Sequence, residues 1–129
     1  MYKMKINNIK QMTEQEQNLY NFLCSAIPYK VKCLVKVDKK RIKATLYGVD
    51  ENSIIYVQDG KDYKDDCNIH SIRPYLYSPD DIKNELAKEC QHLNGVAFIE
   101  WCYAHHIDIR GLINVNLAIK VTESNNPYK

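Results

Sequence analysis

"KVKCLVKVDKKRIKATLYGVDENSIIYVQDG", Lys30 to Gly60, switches between apolar and polar residues with a period of two and is broken by two turn signals. Val31, Cys33, Val35 and Val37 alternate with Lys32, Leu34 and Lys36; Ile42, Ala44 and Leu46 alternate with Lys43, Thr45 and Tyr47. A period of two sends successive side chains to opposite faces of a strand, so this pattern predicts two strands with an apolar inner face and a basic outer one. "DKK" makes the first turn and "GVDENS" the second, and "IIYVQ" is a third strand. Asp59-Gly60 is a hairpin dipeptide, because both residues tolerate positive φ. "DYKDD" returns as a fourth strand, and "CNIHSIRPYLY" reads as a short helical turn followed by a strand at Pro74–Tyr77. Proline is tolerated at a strand's first position, where no ladder donor is needed. Five short strands with tight turns predict an SH3-like barrel or a curled antiparallel sheet over residues 30–77, since closure removes exposed edges.

Helices flank this sheet. "MTEQEQNLYNFLCSAIP" predicts a helix over residues 12–27: Thr13 and Glu16 have capping-box spacing, and Leu19, Phe22, Leu23 and Ala26 form one apolar stripe. Pro28 ends it, because the residue before a proline is pushed out of the α region. Residues 78–129 predict a helical pair with a packed tail. Ser78 is the expected N-cap, with Pro79 in the first turn, and Ile82, Leu86, Cys90 and Leu93 are the expected buried stripe. Gly95 is the expected stop. A third helix is expected over Val96–His106 with Phe98, Ile99, Trp101 and Cys102 as its apolar face. The segment "IRGLINVNLAIKV" reads as a packed loop with an edge strand, and "TESNNPYK" as a polar, frayed end. Residues 2–6 alternate like a strand, but nothing in the sequence says whether they join the sheet. The expected architecture is therefore α+β in one domain, residues 1–129.

Composition narrows the function classes. The 129 residues are 45% hydrophobic and 26% charged, as in an ordinary globular domain. No apolar run approaches the roughly 20 residues that span a bilayer, and the N-terminus lacks the apolar core of a secretory signal. Five cysteines, odd in number and without a C-x-x-C pair, predict reduced thiols in a reducing cytoplasm. Ten tyrosines against two phenylalanines and one tryptophan favour half-buried surfaces and interfaces. The net charge of +2 conceals an asymmetry: residues 1–43 carry ten lysines and arginines against three acids, and the remainder eight against thirteen.

Three constellations carry candidate chemistry. In "AHHIDIRGLI", Ala104 to Ile113, two histidines close a helix where positive charge is favoured, and Asp108 and Arg110 are spaced to bond each other or the histidines. This predicts a helix end with a tail locked by polar contacts. A catalytic reading would use His105 or His106 as base, yet no nucleophile is marked beside them, so no catalytic residue is assigned and a non-enzymatic protein is expected. Cys90, His92, Cys102 and His105 are weak candidates for a zinc-stabilised helical pair; equally, the cysteines fit the apolar stripes as core filler. No cofactor is expected. The third constellation is the basic hairpin, where Lys32, Lys36, Arg41 and Lys43 share the outer face with Tyr47, an arrangement that can hold phosphates and stack a base. Lysines on a sheet face also serve simply to block edge-to-edge aggregation. The run "DGKDYKDD" lacks the glycine and glutamate spacing of a calcium loop, and no phosphate-cradling glycine motif is present.

The runs "LYGVDENSIIYVQDG", "IRPYLYSPDDIKNEL" and "WCYAHHIDIRGLINVNLAI" resemble a family of small uncharacterised proteins from phages and mobile elements of Bacteroides-type gut bacteria. The likeness runs from about Thr13 to "NPYK", and W-x-x-A-H-H-x-D-x-R-G-L-I is its most specific phrase. Members commonly have an aliphatic residue at Cys102 and a glycine near Val115-Asn116, which argues against a shared metal role for Cys102. The resemblance implies a phage-derived protein in a bacterial host cell and no mechanism. The expected function is a small binding or adaptor protein with a protein partner, through His105, His106, Asp108 and Arg110 or through the basic face. Nucleic-acid binding and sequestration of a signalling nucleotide are the alternatives.

Overall fold

The computed structural model describes residues 12–51, 53–82 and 84–129; the strand expected at residues 2–6 falls outside them. Helix α1 spans Glu14–Ala26 and opens with the expected capping box: Thr13 Oγ1 accepts from Glu16 N, and Glu16 accepts from Thr13 N, each at 3.0 Å. A 3-10 turn at Ile27–Tyr29 ends on Lys30 in the left-handed region, and the chain enters the sheet. Strands β1 (Lys32–Val37), β2 (Lys40–Val49), β3 (Ile54–Gln58), β4 (Lys64–Cys67) and β5 (Ile72–Leu76) are antiparallel neighbours in the order β4-β3-β2-β1-β5. A sixth strand, β6 (Ile119–Lys120), adds in parallel to β5 through Tyr75–Ile119 and Leu76–Lys120.

Among the described residues the sheet is six-stranded and open, so of the two expected forms, a five-stranded barrel or a curled antiparallel sheet, it is not the closed barrel, and it gains a sixth, parallel strand. The reason lies in α1. Leu19, Phe22, Leu23 and Ala26 press on Val31, Cys33, Val35, Ala44, Leu46, Ile54 and Tyr56, so a helix layer covers the inner face and the sheet need not fold over itself. Pro74 stands mid-strand rather than first, opposite Cys33. Because β6 reaches only Tyr75 and Leu76, no described residue pairs with the outer side of β5 at that height, where proline is tolerated.

The C-terminal helices depart further from expectation. Ser78 caps only a 3-10 turn, Pro79–Asp81, and Ile82 is extended, so α2 begins anew and covers Asn84–Cys90. Leu86 and Cys90 are only half-buried. Gly95, at φ +56°, opens α3 (Gly95–Ala104) instead of closing α2. Helix α3 buries Cys102 and Tyr103 and leaves Val96, Phe98 and Ile99 69%, 39% and 45% exposed, so of the predicted apolar face Cys102 is buried and Trp101 half-buried, while Phe98 and Ile99 face solvent. The helix is apolar nearly all round, so periodicity cannot choose its face; the tail's backbone bonds do. His106 O accepts from Tyr77 N at 2.8 Å, and Ile107 N donates to Cys102 O at 2.9 Å. The last residues are likewise pinned rather than frayed. The half-buried Tyr128 hydroxyl donates to Tyr75 O at 2.7 Å and accepts from Lys32 N at 3.0 Å, tying β5 to β1. No described helix is long and apolar enough to cross a membrane.

Candidate functional site

The β1–β2 register builds the basic face as the alternation predicts. Lys36 faces Arg41, Leu34 faces Lys43 and Lys32 faces Thr45, all on the side opposite the core residues Cys33, Val35 and Ala44. Arg73 extends the middle row by pairing with Leu34. Across β3 and β4 the same side carries Ile55, Val57, Asp66 and Lys64, and none of these outward residues is buried. Arg73 and Lys64 were missed in the sequence because neither belongs to the alternating basic run; only strand order brings them here.

Charge on this face is unevenly balanced. Lys32 pairs with Asp59 at 3.2 Å. Tyr47 occupies a bulge between Leu46 and Gly48, is 50% exposed, and has Lys64 Nζ 4.1 Å over its ring. Among the described residues no ion pair reaches Lys36, Arg41 or Lys43, although like charges directly opposite each other destabilise a strand pair. The structure thus brings all five predicted residues to one side of the sheet, with Lys36, Arg41 and Lys43 grouped toward the hairpin tip.

The helix-end cluster is built differently. The Asp108 carboxylate, 5% exposed, accepts from Leu112 N at 2.8 Å and Ile113 N at 2.9 Å, capping the turn that follows. Arg110 donates through Nε to the Tyr103 hydroxyl at 3.0 Å and through Nη1 to Asn18 Oδ1 at 2.9 Å, while Asn18 Nδ2 returns a bond to Arg110 O. Asp108 and Arg110 therefore bond neither each other nor the histidines. One turns into the core to satisfy backbone donors, and the other reaches α1.

His105 Nδ1 lies 2.9 Å from Trp101 O, its ring stacks on Trp101 at 4.3 Å, and Nε2 is 4.0 Å from Glu89. His106 adopts φ +59° and stacks nearly parallel on Tyr128 at 4.0 Å. Its Nδ1 is sealed from solvent without a hydrogen-bond partner. Burial, helped by His105, lowers its pKa from 6.5 to about 4, so the ring is neutral at physiological pH. Both histidines line a cavity of about 640 Å³ with Tyr77, Ile82, Leu86 and Tyr128. Among the described residues neither imidazole bonds a hydroxyl or thiol, so no nucleophile–base pair is assembled.

The metal candidates stay apart as a set. Cys90 Sγ bonds Ala87 O at 3.2 Å, Cys102 is 1% exposed with its thiol pKa raised by burial, and His92 is exposed. Among the described residues no three His, Cys, Asp or Glu side chains form a group able to hold a metal ion. All five cysteines are free thiols. No protein-family model matches the sequence, and no curated protein or solved structure resembles it significantly.

Proposed function

We propose that the chain is a non-enzymatic binding module whose outer sheet face engages nucleic acid. The observation that carries this reading is the Lys36–Arg41 cross-strand pair with Lys43 beside it, three cations held together with no ion pair to any of them among the described residues. A folded protein that keeps such a cluster accepts a repulsion that a phosphate backbone would relieve. Tyr47, half-exposed in its bulge, offers a ring for stacking on the same face. The resemblance to phage and mobile-element proteins supports a bacterial cytoplasm, where such ligands abound, as the working compartment.

The test is fluorescence anisotropy with labelled 20-nucleotide DNA and RNA across 50 to 200 mM salt. Affinity is expected to fall steeply with salt, with a logarithmic slope of about −2 to −3 for three phosphate contacts. Lys36→Glu with Lys43→Glu is expected to abolish binding; undiminished affinity in that double variant would refute the reading.

A second surface supports the adaptor form of this proposal. Val96 and Ile99, one turn apart on α3, are exposed apolar side chains that share a face, the kind of surface that protein partners cover. Replacing Val96 and Ile99 with Ser is expected to leave nucleic-acid binding intact and to remove any co-purifying protein.

A further inference from the structure

At the hairpin end the sheet opens into a notch of about 680 Å³, within the size range of small-ligand sites. It arises because Lys40–Lys43 of β2 run past Gln58, the last β3 residue in register, so the β1–β2 tip and the β3–β4 loop stand apart. The notch belongs to the inner side of the sheet, around the tip from the basic rows. Val37, Ile42 and Tyr56 form an apolar floor, with Val37 40% exposed where an inner-facing valine would ordinarily be covered. Lys39, Lys40 and Lys61 supply cations against Asp38 and Asp65. Tyr63 is 56% exposed, and its ring stacks on no other ring among the described residues.

An apolar floor, an unused aromatic ring and a cationic margin are complementary to a flat heterocycle attached to a phosphate. Lys39 and Lys40 lie at the turn that joins this notch to Lys36 and Arg41 on the other side. A nucleic-acid backbone crossing the basic rows would therefore round the tip beside these lysines, with a base able to drop into the notch. In a duplex that base is paired and stacked, and extruding it costs the unpairing and unstacking energy that a single strand does not incur.

We infer that the notch takes one unpaired base of a single-stranded nucleic acid, stacked on Tyr63 with its flanking phosphates at Lys39, Lys40 and Lys61. This rests on the reading of the outer face as a nucleic-acid surface and specifies its substrate as single-stranded.

The experiment compares a labelled 12-nucleotide single strand with a blunt duplex of the same sequence, on the full chain. The single strand is expected to bind at least about tenfold more tightly, and Tyr63→Ala to remove about that factor from the single strand alone. Tyr63→Phe is expected to bind like the parent. Lys36→Glu with Lys43→Glu should weaken both ligands. If the charge reversals weaken both ligands while Tyr63→Ala is either neutral or equally harmful to both, the notch is overturned and the face is spared. Loss confined to Tyr63→Ala would overturn the face and keep the notch. Failure of the parent protein to bind either ligand, or displacement of the single strand by poly-glutamate at equal charge concentration, would overturn both.

Discussion

The turn after α3 and the β1–β2 hairpin each place charged side chains close together, and the fold uses them in opposite ways. In the tail, Asp108 and Arg110 turn to the protein's own backbone and to Asn18, so their polar atoms are consumed in holding the chain together. In the hairpin, Lys36, Arg41 and Lys43 are exposed on the face opposite the core, and among the described residues no ion pair reaches them. A polar group that is buried and satisfied stabilises the fold; one that is exposed beside its like is free for a ligand.

The contrast can be broken most directly at Asp108. Replacing it with Ala strands two backbone N–H groups and is expected to lower stability by about 3 kcal/mol, read by urea unfolding. A loss below about 1 kcal/mol would show that the tail does not depend on this cap. Arg110→Ala should cost about 1.5 kcal/mol, and combining it with Asn18→Ala should cost less than the two separate losses, since both remove one contact.

His106 gives a smaller, pH-dependent effect. Its folded pKa, about 4, lies below the ordinary 6.5, so protonation favours the unfolded chain. The stability it contributes is complete above pH 6.5 and is lost as pH falls toward 4. Because the ring edge still meets water, the expected change is on the order of 1 kcal/mol. His106→Phe, which preserves stacking on Tyr128, should flatten the melting temperature across that window; an unchanged profile would locate the dependence elsewhere. The smallest effect is expected in the hairpin, where Lys36→Glu should raise stability by about 0.5 kcal/mol by giving Arg41 an opposite charge. Destabilisation there would mean that the lysine is wired inward after all.

Legibility followed the range of the interactions. The capping box at Thr13, the α1 stripe and the alternation of β1 and β2 could be read because they depend on residues three or two apart along the chain. The face of α3, by contrast, could not. Val96, Phe98, Ile99 and Cys102 are all apolar, and which of them is covered depends on where Tyr77 anchors the tail. The same holds for the terminus, where Tyr128 looked frayed until its hydroxyl met Tyr75 and Lys32, 53 and 96 positions away.

For the candidate surface, the order of residues along β1 and β2 already places Lys32, Lys36, Arg41 and Lys43 on one side, because strand alternation is a local steric rule. It also determined that a basic face would oppose an apolar one. Tertiary structure decided that the sheet stays open, that Arg73 and Lys64 join that side, and that Tyr63 and Lys61 stand across a notch from Lys39 and Lys40. Strand order and the covering of one face by α1 are choices among non-local contacts of similar chemistry. Only the packing of the whole chain makes one of them lowest in free energy.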